Sequence, residues 1–322
     1  MQIAQKRIFL TILLFLNYLH FASAQYAAIP AQEGLALYKE CYPSDIRSIE
    51  YDKKVDDWFM EVQSKRGIIK IYWATGKLLP YELLKESDKY QRLLYGYPDQ
   101  IPTPKSYTPS EKKAIANFSA PANRKNRKIQ CSAFYDALYN SYSQESTFNE
   151  TKKIAFLGFT IRTHKKIVPK LQRIQTKIYW LARRDKRINQ FVKSLGSASS
   201  YAWREIRDSS NRSMHSYAIA VDILPKAYEK KVIYWLWEKD KNPENWMEIP
   251  LEERWLVPSE IIRIFEEEGF LYGGKWAIWD NMHFEYRPEV IKAKKFLGKE
   301  FSQDRSKKAP KESIKINEIK RQ

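Results

Sequence analysis

Histidine is scarce in this chain, with four among 322 residues, and cysteine is scarcer, with two. Cys41 and Cys131 have no Cys-x-x-Cys spacing, which excludes a zinc ribbon. They leave open a structural disulfide, which an oxidising compartment permits, or two buried thiols. No internal repeat is present, and no second long apolar run follows the one at the N-terminus, so no transmembrane segment is expected beyond it. Acidic residues are also in short supply, 38 against 56 Lys and Arg, for a formal net charge of +18. A balance this basic favours anionic surroundings such as membrane or envelope surfaces, wall polymers or nucleic acid.

What is present begins with an address. Residues 1–24 run from Lys6 and Arg7 through IFLTILLFLNYLHF to Ala22, Ser23 and Ala24. This reads as a secretory signal peptide cleaved before Gln25. The apolar run falls short of the roughly 20 residues a membrane anchor needs and is broken by Asn17 and His20. The expected product is exported, periplasmic or associated with the cell envelope, and nucleic acid is then not an expected partner.

Residues 25–150 are expected to form an N-terminal accessory region. It is rich in aromatic and aliphatic residues, with a strand at GIIKIYWA (67–74). A proline-bearing stretch with Pro98, Pro102, Pro104, Pro109 and Pro121 reads as a long connection or wrapping segment, and as the best candidate boundary. Residues 151–300 read as the main domain: a strand at KIAFLGFTI (153–161), then Ile167, Leu171, Ile174, Ile178 and Leu181 at helical spacing. Ile188, Phe191, Val192 and Leu195 continue as a helix ended by Gly196. AIAVDIL (218–224) alternates as a strand, and PSEIIRIFEEEGF (258–270) carries helix start and stop signals. Residues 301–322 form a basic polar tail. The order of elements implies an α+β fold, a small mostly antiparallel sheet with flanking helices, rather than a doubly wound parallel sheet.

Past residue 24 only His164, His215 and His283 remain. Three protein ligands and one open position are the usual make-up of a hydrolytic zinc site, and His215, Asp222 and His283 would supply such a set. On one helix, His215 and Asp222 would stand about 10 Å apart along the axis. On one straight strand, their odd separation would put them on opposite faces. Both reach one ion only if His215 lies in a loop or bend before the strand that carries Asp222. By the same parity His283 and Glu285 share a strand face, while Asp280 must sit in a bend at the strand's start. A carboxylate placed there, near the ligands but not one of them, can take a proton from the attacking water and deliver it to a leaving amine.

SMHSYAIAVD, residues 213–222, resembles the S-x-H-x-x-G-x-A-x-D motif of VanY-type D-alanyl-D-alanine carboxypeptidases and of the related peptidoglycan L-alanyl-D-glutamate endopeptidases. WDNMHFE, residues 279–285, resembles their D-x-x-H-F motif, and GFLYGGKW (269–276) fits its approach. The resemblance covers about residues 195–290. It implies a zinc (Zn2+) cleft with His215, Asp222 and His283 as ligands and Asp280 as general base and acid. It also implies an upstream arginine for the oxyanion or a substrate carboxylate. Arg204 matches best, with Arg207 and Arg212 as rivals. Ser213 is then a substrate contact or a residue that orients a ligand, and Glu285 either a partner of His283 or an exposed strand residue. Peptidoglycan stem peptides are the implied substrate. One departure is Ala218, where the motif has glycine; if positive φ is required there, alanine costs about 1 kcal/mol.

Two other readings compete. One is a non-catalytic metal-containing binding protein, as in hedgehog-type signalling domains, which would tolerate loss of Asp280 or of a ligand. The other is a zinc amidase cutting between sugar and stem peptide. His164 reads as structural, and Tyr234, Trp235 and Trp237 either line a sugar-binding face or belong to the core.

Overall fold

The computed structural model describes residues 29–294 and 296. The signal-peptide reading and the basic tail lie outside the described residues. Among these residues no helix is long and apolar enough to cross a membrane.

The chain enters through α1 (Ala31–Cys41), whose Leu35, Leu37 and Tyr38 are buried. It then forms an antiparallel sheet of β1 (Ile46–Asp52), β2 (Asp57–Ser64) and β3 (Gly67–Tyr72), with Met60, Val62 and Ile71 buried. The proline-bearing stretch is more ordered than a connection. Pro109 and Pro121 occupy the first turns of α2 (Pro109–Ser119) and α3 (Pro121–Lys125), where proline's missing N–H costs nothing. Thr108 and Glu111 close a capping box on α2. The stretch does wrap: Arg124 donates to the Arg207 carbonyl (2.8 Å), Gln130 N–H to Asn211 Oδ1 (2.6 Å), and Lys239 to the Ser119 carbonyl (2.8 Å). Next come α4 (Ala133–Tyr139) and α5 (Gln144–Asn149). Cys131 is a free, buried thiol, so no disulfide closes on it.

Residues 153–161 are not one strand. They belong to a hairpin of β4 (Thr151–Phe156) and β5 (Phe159–His164), turned by Leu157 (φ 50°) and Gly158 (φ 89°). Two consecutive positive φ values make the tight turn whose twist matches its strands, and periodicity alone does not reveal it. The predicted helical stripe is α6 (Val168–Ala182), with Leu171, Ile174 and Ile178 buried. The helix that follows, α7 (Lys186–Ser194), stops before Gly196; Leu195 already opens β6 (Leu195–Ser199).

The last sheet carries the site. Its order is β6, β7 (Ala220–Pro225), β9 (His283–Tyr286), β8 (Phe270–Tyr272), antiparallel throughout. The aromatic segment near 232–237 leads into a short helix, α8 (Trp235–Lys241). α9 (Ser259–Glu267) packs on the core face of the sheet, where the Phe265 and Phe284 rings stack with centroids 3.8 Å apart. The architecture is α+β with small antiparallel sheets, and one apolar core runs from Ile29 to Ala293 through both parts of the chain.

Candidate metal centre

Strand pleating decides which side chains leave the core. Val221 pairs with Phe284 on the core face, and the next pair, Asp222 with His283, points to the opposite face. Directly opposed residues on neighbouring strands hold their Cβ atoms about 5 Å apart, close enough for one ion to bridge them. Glu285 pairs with Ala220, two residues along the same face.

His215 reaches this pair from a 3-10 turn, Met214–Tyr217, that precedes β7. The Ser213 hydroxyl caps the turn by accepting the His215 N–H (3.3 Å). Ala218 ends it in the left-handed region (φ 57°, ψ 32°), fully buried. The glycine of the motif is thus a conformational requirement, and alanine bears a strain of about 1 kcal/mol here. The Ala218 carbonyl is held by the His164 N–H (2.9 Å) and the Thr163 hydroxyl (3.0 Å), which pins the strained residue.

Three ligand-type side chains meet as a result. His215 Nε2 lies 3.2 Å from His283 Nδ1 and 3.1 Å from Asp222 Oδ2, and His283 Nδ1 lies 2.9 Å from Asp222 Oδ1. Zinc bonds near 2.0–2.1 Å in a tetrahedron place ligand atoms about 3.3 Å apart, so the set fits a zinc-sized ion with one position left open. Each ring is aimed by a partner on its other nitrogen. His215 Nδ1–H donates to the Ser200 carbonyl (2.5 Å), and His283 Nε2–H donates to Glu285 Oε2 (3.2 Å). These bonds select the tautomers that turn lone pairs toward the ion.

Glu285 is therefore buried and engaged, not an exposed strand residue. Burial alone would lower the His283 pKa, but its bonds to Asp222 and Glu285 hold it well above the usual histidine value. Burial would raise Asp222, yet contacts with both histidines keep it well below the carboxylate range.

Asp280 bridges to Tyr234 and opens the turn into β9, its carbonyl accepting the His283 N–H (3.3 Å). Burial, with the nearby Asp222 carboxylate, pushes its pKa up to about 7, against the pull of His283 and Arg204. Its Oδ1 is buried without a hydrogen-bond partner, an arrangement that costs about 1–3 kcal/mol unless something else fills the need. The Gly273–Gly274 pair makes the turn possible. A Cβ on Gly273 would lie 2.7 Å from the Asp280 carbonyl oxygen, which the loop must approach because Asp280 N–H donates to the Gly273 carbonyl (3.0 Å).

The three arginines separate cleanly. Arg212 pairs with Asp136 (2.6 Å) and lies over the Trp203 and Tyr217 rings, and Arg207 pairs with Asp240 (2.9 Å) on the surface. Arg204 is exposed, and its charge bears on Asp280 and Tyr234. His164 lies apart from the cluster, with Nε2 on the Tyr139 carbonyl (3.0 Å) and Nδ1 accepting the Lys166 N–H (3.1 Å); burial lowers its pKa to about 4. Trp235 is core, while Tyr234 and Trp237 are half-buried.

Residues 207–286 match the family described as D-alanyl-D-alanine carboxypeptidase. The match supports a peptidase, hence a hydrolase, and at the level of the family a peptidoglycan substrate. Peptidases of this kind are generally zinc-dependent, in keeping with the His-Asp-His cluster inside the matched stretch. Residues 34–95 match a second family, described as a domain of unknown function (DUF8518). No curated protein and no solved structure gives a significant match.

Ser200 acts through its carbonyl and carries no side-chain signature in the sequence. Tyr95 and Arg287, absent from the expected site, meet Glu285 from behind. For Arg287 a signal was available, since it is two residues beyond Glu285 in HFEYRPE and shares its strand parity.

Proposed function

We propose that this chain is an exported zinc metallopeptidase that hydrolyses peptide bonds of peptidoglycan stems, as a D,D-carboxypeptidase or an endopeptidase. The observation that carries the reading is the convergence of His215, Asp222 and His283 beside an unpartnered, buried Asp280 oxygen, within the stretch that matches the carboxypeptidase family. His215, Asp222 and His283 would hold zinc. Zinc bound there would supply a Lewis acid for the scissile carbonyl and draw the pKa of water toward neutrality.

The chain's own residues do the rest. Asp280, whose buried Oδ1 has no hydrogen-bond partner in the fold, takes the proton of the attacking water and gives it to the leaving amine. Arg204 faces the negative charge that develops on the carbonyl oxygen, or the carboxylate of a terminal D-alanine. Ser213 holds the turn of His215, and Glu285 holds the ring of His283. Residues 151–300 form the peptidase unit and residues 25–150 its accessory region. The basic surface favours residence near anionic envelope polymers.

Purified protein should contain about one zinc per chain and should release D-alanine or cut stem peptides from isolated sacculi. Mass spectrometry of the muropeptides identifies the bond. Identical digests from wild type and Asp280→Ala would overturn the enzymatic reading and leave a metal-binding protein.

A further inference from the structure

Behind His283 lies a closed set of charges that reaches into the N-terminal part of the chain. The Glu285 carboxylate, whose Oε2 accepts from His283, has its other oxygen 3.3 Å from the Tyr95 hydroxyl and 3.7 Å from Arg287 Nη1. Arg287 is 1% exposed, and its Nη2 donates to the Leu93 carbonyl (2.8 Å). Its Nε donates to Glu289 Oε1 (2.5 Å), and that carboxylate also accepts from the Tyr42 and Tyr135 hydroxyls (2.7 Å each). Glu289 is fully buried. Four of these contacts, those of Tyr42, Leu93, Tyr95 and Tyr135, come from residues before 151. Leu93 and Tyr95 lie at the end of the stretch that matches the family of unknown function, and Tyr42 lies within it.

A buried Glu-Arg-Glu set is costly to assemble. Each carboxylate needs its remaining lone pairs satisfied, or its desolvation penalty goes unmatched. A core serving stability alone would do as well with apolar side chains of equal volume. What the charges add is a fixed orientation for Glu285, and through it for the ring that turns Nδ1 toward the metal position.

We infer that the N-terminal region is a structural part of the metal centre, and that Tyr95 is a positioning residue that holds Glu285 against His283 and so sets metal affinity. The inference rests on the zinc reading of the His-Asp-His cluster, and its test does not use catalysis. It gives residues 34–95 a role in this chain: they complete the outer shell of a site whose ligands lie more than a hundred residues further on.

The test is zinc affinity by chelator competition on the full-length chain, together with the visible spectrum of the cobalt-substituted protein. Glu285→Gln should weaken zinc binding about 10- to 100-fold. Tyr95→Phe, which removes one hydroxyl and leaves the ring, should weaken it about three- to tenfold and shift the cobalt bands. In the Glu285→Gln background the Tyr95 change should have little further effect, because its partner has lost its charge. Tyr97→Phe is the control. Its hydroxyl serves Glu266 (2.5 Å) and the Tyr272 N–H (2.9 Å) instead, so it should lower the melting temperature without changing zinc affinity.

Wild-type affinity and an unshifted cobalt spectrum in Tyr95→Phe would overturn the inference. Equal losses of affinity in Tyr95→Phe and Tyr97→Phe would also overturn it, since loosened packing would then account for both. Failure of the wild-type protein itself to bind zinc would be a different result, striking the zinc reading on which the inference stands.

Discussion

The two histidines of the candidate metal centre are held in different ways. His215 is aimed by a main-chain carbonyl fifteen residues upstream, on a turn that Ser213 caps and Ala218 ends. His283 is aimed by a carboxylate backed by a buried network that reaches Tyr95, 190 residues before Glu285. A carbonyl is neutral and cannot be lost by side-chain substitution. A carboxylate raises the basicity of the ring it holds, but it must itself be kept in place and compensated. One half of the site is therefore local and robust, while the other half depends on the whole fold.

Removing a ligand breaks this comparison most severely. His215→Ala and His283→Ala should each take zinc content from about one per chain to near zero by elemental analysis. They should part in stability. His283 contacts two buried carboxylates, Asp222 and Glu285, and without it the metal-free protein should lose about 3 kcal/mol in denaturant unfolding. His215→Ala abandons one carboxylate, Asp222, and the Ser200 carbonyl, so it should lose less; equal losses would refute the contrast.

Asp280→Asn leaves both halves intact. Zinc content should be unchanged, while the hydrolytic rate should fall about 10²- to 10⁴-fold in muropeptide turnover.

Proton competition separates the halves more gently. The raised pKa of His283 stabilises the metal-free fold fully below the unfolded value of about 6.5, and that support is lost as pH rises through the folded value. Asp222, held low, contributes above about 3.9 and loses its contribution as pH falls. Asp280, raised to about 7, favours the fold below about 3.9 and forfeits this as pH climbs toward 7. The metal-free fold is thus best supported by the Asp222–His283 pair between about pH 4 and 6.5. Zinc must displace the His283 proton, so its affinity should rise with pH, by up to about tenfold per unit between pH 6 and 8. Chelator competition at three pH values measures this, and a flat profile would contradict it.

The smallest effect belongs to the local half. Ala218→Gly relieves a left-handed alanine but loosens the unfolded chain, so a net gain of about 0.5 kcal/mol is expected in denaturant unfolding, with zinc affinity unaltered.

The legibility of the sequence follows the same division. His215, Asp222 and His283 could be brought together from parity and a required bend, and the structure places them together because a period of two leaves little freedom in which face a residue takes. The helical stripe of α6 was equally legible, for the same kind of reason. The hairpin of β4 and β5 was read as one strand because Leu157 keeps the apolar pattern running through a turn that its positive φ creates. The helices α2 and α3 were hidden by prolines that start them.

By itself the sequence determined the local chemistry: which side chains can bind a metal, which face of a strand each takes, and that a carboxylate stands three residues before the second histidine. Only the tertiary structure decided what holds those groups in place. The Ser200 carbonyl has no side-chain identity to read, and no local pattern links Tyr42, Tyr95 and Tyr135 to Glu285 and Glu289. Periodicity is a property of a few neighbouring residues. The satisfaction of a buried charge is a property of everything that folds around it.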